Sequence, residues 1–244
     1  LFSPDRPLHE EGRQRRKGMI VCFCALESEY EALYKRFGCK TSVGIGEECF
    51  IAAGGEAYPA VLVGKSRVGK KSAGECARWC LERYPGMQLF VSCGIAGGLD
   101  ETLTVGDVVF GDRIVDDRAD RAEWLRPTAR ANPQLLRKLK AGAQAIRYKG
   151  RPILCREDVI VSSDIGVFDR ETGRRLFERY RGACVEMECA GAAAVCRSVG
   201  VPMLAVKTIS DHADEGALLS MVRSQRQIMV NLADLLAFAF DGES

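Results

Sequence analysis

The chain has 244 residues, 47% of them hydrophobic and 28% charged, the make-up of an ordinary globular protein. With 35 Lys and Arg against 33 Asp and Glu, the net charge of +2 gives no electrostatic reason to expect nucleic acid or an anionic membrane surface as a partner. No apolar run approaches the roughly 18 residues of a membrane span, so no integral membrane segment is expected.

Residues 1–17 are polar, charged and proline-bearing, and they read as a disordered extension ahead of one ordered domain over 18–244. A chain that begins on Leu1 reads as a fragment or a non-standard start. Met19 to Leu26 has the continuous apolar character of a buried strand. A helix is predicted from about Ser28, with Tyr30, Leu33, Tyr34 and Phe37 on one face. Further strands are predicted at 49–53, 58–64, 88–94, 106–114, 153–161, 183–188 and 203–209. Helices are predicted at 70–83, 133–147, 171–180, 188–199 and 217–239. The last helix carries a stripe of Leu218, Val222, Met229, Leu232, Leu236 and Phe240. Alternating strands and helices point to an α/β domain with a mixed sheet.

The 11 cysteines are an odd number and sit mostly inside apolar segments. That pattern fits buried reduced thiols in a cytoplasmic protein better than a disulfide framework. With only His9 and His212 and no paired ligand spacing, neither a metal nor another cofactor is expected.

The acids carry the chemical signal. In Cys184-Val185-Glu186-Met187-Glu188, an apolar strand ends on two glutamates, and Met203 to Ile209 likewise leads into Ser210-Asp211. Ligand crevices of open α/β sheets lie at such strand ends, and carboxylates there suit proton transfer and hydroxyl recognition on a sugar. Three further segments are weaker when taken alone. Lys65 to Lys70 turns from strand to helix and could offer amides to a ligand, but it lacks the P-loop spacing. Cys93-Gly94-Ile95-Ala96-Gly97-Gly98-Leu99 lets a backbone approach something closely, yet no helix follows it as a dinucleotide fingerprint requires. Glu27 and Glu29, after the first strand, read as an acidic first helical turn.

Together these segments carry a resemblance. Ala25-Leu26-Glu27-Ser28-Glu29, Lys65 to Lys70, GIAGGLDETLTVGD over 94–107, Val185 to Glu188 and Ile209-Ser210-Asp211 occur in the order found in the purine nucleoside phosphorylase and nucleosidase superfamily. The chain resembles most closely its methylthioadenosine/S-adenosylhomocysteine nucleosidase branch. The resemblance implies a single-domain three-layer sandwich around a central mixed sheet, a purine nucleoside substrate and a homodimer. It implies that Asp211 protonates the departing purine at N7. It also implies that Glu188 grips the ribose hydroxyls, that Met187 packs on the ribose, and that Glu29 orients and deprotonates the attacking water. Glu186, Ser210 and Val68 fall at further substrate-binding positions, and His212 reads as a loop residue beside Asp211.

The departures bear on reaction and substrate. Phosphorylases of this superfamily hold phosphate with an arginine and a serine three apart, where this chain has Ser92 and Ile95. Isoleucine offers a dianion nothing, which favours water as nucleophile, although Arg67 could restore some phosphate affinity. Aligning Cys155 to Val161 with the base-binding strand puts Ile160 where an aromatic ring stacks on adenine, and leaves Val161 to bond the base edge. Trp124, Leu125 and Pro127 could line a pocket for the 5′ substituent. Ile95 and the short segment after Asp116 resemble hopanoid-associated members acting on adenosylhopane, and the glycine turn resembles that of futalosine hydrolases. Methylthioadenosine-type, adenosylhopane-type and futalosine-type substrates all stay open at this level, with phosphorolysis as the runner-up reaction. A purine-binding module without turnover is the alternative of a different class.

Overall fold

Alternation along the first strand sets the layering of the molecule. In the computed structural model, which describes residues 18–46, 49–118 and 133–241, Ile20, Cys22 and Cys24 enter one core while Val21 and Phe23 enter another. A strand apolar on both faces must lie between two layers of helices. The elements in chain order are β1 (Met19–Cys24), α1 (Glu27–Arg36), β2 (Ser42–Gly46), β3 (Cys49–Ala53), β4 (Val61–Lys65), α2 (Lys70–Arg83), β5 (Met87–Gly98) and β6 (Val108–Asp116). They continue with α3 (Pro133–Ala143), β7 (Arg147–Tyr148), β8 (Arg151–Pro152), β9 (Cys155–Ser162), α4 (Arg170–Tyr180), β10 (Cys184–Glu186), α5 (Cys189–Ser198), β11 (Met203–Asp211) and α6 (Ala217–Phe240). The 1–17 extension and the nominated Trp124, Leu125 and Pro127 lie outside the described residues.

Among the described residues nine strands form one mixed sheet in the order β10-β9-β6-β11-β5-β1-β4-β3-β2. Helices α1, α3 and α6 cover one face, α2 and α5 the other, which gives the three-layer sandwich. Met229, Leu232, Leu236 and Phe240 of α6 are buried as their stripe requires, each contributing about 1.5–3 kcal/mol. Leu218 and Val222 depart from the predicted stripe: they are exposed, because the first turns of α6 bury a narrower face, through Ala217 and Ser224.

One irregularity positions the site. Strand β5 continues four residues beyond its predicted end, and there Gly97 and Gly98 pair antiparallel with Val185 and Cys184 of β10. Because β10 also pairs with β9, this end of the sheet curls into a ring of β5, β11, β6, β9 and β10. The curl draws the carboxyl ends of β5, β10 and β11 together. Edge strand β2 and the β7–β8 hairpin went unread in the sequence, being short and glycine-bearing or only two residues per strand. All 11 cysteines are unpaired, and every one but the half-buried Cys155 is buried. Among the described residues no helix is long and apolar enough to cross a membrane.

Candidate active site

Strand β10 delivers two glutamates to very different surroundings. Glu186 is almost wholly buried; it accepts from the amides of Glu188 and Cys189 at 3.0 Å and pairs with Lys207 Nζ at 3.0 Å. It therefore caps the start of α5, where a negative charge meets the helix dipole favourably. Burial alone would raise its pKa, but the Lys207 ammonium, with hydrogen bonds from Ser162 and Cys189, holds it below the ordinary carboxylate value. Glu186 lies at the floor of the cavity described below, with its carboxylate committed to these partners.

Glu188 stands two residues on, its Oε1 accepting from the Gly69 amide at 3.0 Å and its Oε2 lying 4.0 Å from Lys207 Nζ. Burial pushes its pKa up to about 7, and the Glu186 charge adds to the rise, while Lys207 opposes it. Lys207 went unnoticed in the sequence. It sits in a strand whose nine residues are all buried, and a lysine there requires a buried counter-charge.

Asp211 owes its direction to a bulge. The pairing of β11 with β5 slips between Ile209 and Asp211, and an extra residue in a strand re-aims the side chain that follows. The Ser210 carbonyl at the bulge accepts from Ser220 Oγ at 2.8 Å and Ser224 Oγ at 3.1 Å, so α6 fixes it. The Ser210 hydroxyl donates to Asp211 Oδ2 at 2.6 Å, and the Ala213 amide donates to Oδ1 at 2.9 Å. To turn that amide inward Ala213 adopts φ +50°, a left-handed conformation that costs a non-glycine residue about 1–2 kcal/mol.

Glu29 plays two parts. Its Oε2 accepts from the amides of Ala25 and Leu26, at 3.0 and 2.9 Å, closing the start of α1 as an acidic first turn should. Its Oε1 accepts from the Ile95 amide at 2.8 Å, which ties it to β5. Gly94 permits that approach, because a Cβ there would stand 2.5 Å from Glu29 Oε1.

These elements enclose one cavity of about 190 Å³, lined by Glu29, Glu186, Glu188 and Asp211 together with Met187, Ser210, Ile95 and Val68. The segment Ile165–Phe168, which sequence reasoning missed, forms one wall, and Met221 of α6 contributes as well. Ile160 and Val161 are not there. Ile160 is fully buried beneath the sheet against Gly111, and Val161 packs in a small core with Val115 and Val185. The alignment that nominated them stops short by several residues, since the chain reaches the cavity only after β9 has ended. Ser92 is buried and accepts from the Cys189 thiol, while Arg67 is exposed and does not line the cavity. A larger hollow of about 640 Å³ lies behind the 211–214 turn, lined by His212 and α4. It contains none of the four acids, so His212 faces away from them.

Residues 19–239 match the family model of the phosphorylase superfamily. The chain is 28% identical over 165 residues to an aminodeoxyfutalosine nucleosidase of Helicobacter pylori, covering 66% of this chain and 71% of the relative. It is 28% identical over 200 residues to the 5′-methylthioadenosine/S-adenosylhomocysteine nucleosidase of Shewanella piezotolerans, covering 78% and 85%. The crystal structure of the corresponding Helicobacter pylori nucleosidase with butyl-thio-DADMe-Immucillin-A superposes at a TM-score of 0.80, with 23% identity over 93% of this chain and 99% of that one. This last likeness speaks for the fold.

Proposed function

The chain belongs to the phosphorylase superfamily, and we propose that within it this protein is a nucleosidase, hydrolysing the N-glycosidic bond of a 5′-modified adenine nucleoside to release adenine. What supports the reading is one cavity onto which three carboxylates from β10, β11 and α1 converge. As the bond lengthens, positive charge grows on the ribose and electrons pass into the base. Asp211 donates a proton to the purine, a step contributing on the order of 10²–10⁴-fold. Glu188, ionised, accepts from the ribose hydroxyls and stabilises the neighbouring cation in a site shielded from water. Glu29, held by three amides, orients a water toward the anomeric carbon and takes its proton. Met187 packs beside the sugar. The named relatives, nucleosidases of methylthioadenosine, S-adenosylhomocysteine and aminodeoxyfutalosine, support the same class of reaction.

Water is favoured over phosphate by charge. A phosphate dianion in this cavity would meet Glu29, Glu186 and Glu188, whereas Lys207, the cation beside them, is already spent on Glu186. Ile95 presents an apolar side chain at the phosphate-holding position. At the mouth Val68, Ile165 and Phe168 are all exposed, and Leu218 and Val222 lie on the turns of α6 that also supply Met221. Such a rim suits an apolar 5′ arm and a homodimer partner closing over it. The unpaired cysteines support a reducing, cytoplasmic setting.

The test is adenine release from adenosine, methylthioadenosine, S-adenosylhomocysteine, aminodeoxyfutalosine and adenosylhopane. Nucleosides with apolar 5′ groups are expected to give the highest kcat/KM, and a preference for unmodified adenosine would refute the apolar-arm reading. In the same assay Gly94→Ala, whose new methyl displaces Glu29, is expected to lose about 10²-fold in kcat, the scale of a 1 Å misplacement. Unchanged turnover in that variant would remove Glu29 from the mechanism.

A further inference from the structure

We propose that Lys70, which touches no part of the cavity, is a positioning residue whose ammonium locks the Ile165–Phe168 wall and the Gly69 amide into one unit. The inference rests on the nucleosidase reading and adds a residue to it. Lys70 opens α2, and its side chain is 6% exposed; Nζ lies 2.6 Å from Asp116, 3.0 Å from Asp117 and 3.3 Å from Asp164. These carboxylates come from two places, the end of β6 and the loop leaving β9. Asp164 immediately precedes the wall residue Ile165.

The surrounding bonds make the cluster a junction. Asp117 Oδ2 accepts from Ser163 Oγ at 2.8 Å, and the Asp117 carbonyl accepts from Tyr180 Oη at 2.7 Å. The Ser163 amide donates to the Glu186 carbonyl at 2.7 Å, so the loop is also stitched to β10. On the other side, the amide of Gly69, next to Lys70 in the chain, grips Glu188. Gly191 of α5 presses against the Lys70 carbonyl so closely that a Cβ there would overlap it. Burial alone would lower the Lys70 pKa, but Asp116 and Asp117 hold it above the ordinary value, so the ammonium stays charged. Asp164 is held a second time by Arg118, at 2.5 Å. Without the Lys70 charge only Arg118 would offset the repulsion among the three aspartates, and the loop carrying the wall would loosen.

The experiment pairs Lys70→Met with Asp164→Asn, measuring kcat and KM for methylthioadenosine. Asp164 is 38% exposed, so its variant keeps the fold even where burial makes Lys70→Met unstable. Asp164→Asn is expected to raise KM about fivefold with kcat held within about twofold, whereas Lys70→Met raises KM at least as far and lowers kcat about tenfold. In the double variant the Asp164 effect on KM should be smaller than in the wild-type background, because both changes break the Lys70–Asp164 contact and Asp164→Asn then removes only the Arg118 pair. Hydrogen exchange at the Gly69 and Ile165–Phe168 amides reads the same lock without turnover and should quicken in both variants. Wild-type kinetics and exchange in Asp164→Asn, or independent, multiplying effects in the double variant, would overturn the proposal. A wild-type protein that releases no adenine would count against the nucleosidase reading, while the exchange data would still decide the role of Lys70.

Discussion

Asp211→Asn is expected to lower kcat by about 10²–10⁴-fold while KM stays within about fivefold, because the change deletes a transferable proton and little else. Asparagine keeps the shape of the side chain and an oxygen for the Ala213 amide or the Ser210 hydroxyl. The bulge that aims the residue is set by the backbone and by Ser220 and Ser224 of α6, so it survives the substitution. The loss should be smallest for substrates whose base leaves readily without protonation. Adenine release under saturating and limiting nucleoside separates the two constants. A loss confined to KM would make Asp211 a binding group and remove it as the proton donor.

Glu188→Gln is expected to stabilise the protein and disable it at once. The native pKa of Glu188 is about 7 against an ordinary value of 4.5. Below pH 4.5 both folded and unfolded chains hold the proton, and the glutamate carries no penalty. As pH rises toward 7 the unfolded chain releases the proton while the folded one retains it, so stability falls across that window. Above pH 7 the full cost, on the order of 3 kcal/mol, persists. Glutamine lacks this cost. Urea denaturation at pH 5.5 and pH 8 should show the advantage of the variant widening by about 2 kcal/mol. Activity runs the other way, since the wild-type kcat/KM should climb with pH through about 7 as Glu188 ionises. A variant no more stable than wild type at pH 8 would mean that Glu188 is not held against its preference to protonate.

Much of this arrangement was legible from pattern. The buried strand at Met19, the helices at Lys70 and Ala217 and the acids at the ends of β10 and β11 follow from apolar runs and their punctuation. Glu29 looked like an acidic first helical turn and is one, and the same carboxylate reaches Ile95 because Gly94 leaves room for it. What escaped detection depends on distance along the chain. Lys207 has meaning only beside Glu186, and nothing local announces the pair. Strand β9 is apolar on both faces over its last residues, so its composition does not mark where the chain leaves the sheet. Ile160 and Val161 were therefore assigned to a pocket wall that Ile165–Phe168 supply. Leu218 and Val222 share the helical period of the core residues in α6, yet a period says nothing about where the core stops.

Turnover in ¹⁸O-labelled water with phosphate present tests the convergence of Glu29, Glu188 and Asp211 on a hydrolytic reaction most directly. Mass spectrometry of the released sugar should find one ¹⁸O at the anomeric carbon, at a rate that phosphate does not change. A sugar 1-phosphate among the products, or adenine release that rises with phosphate, would contradict it.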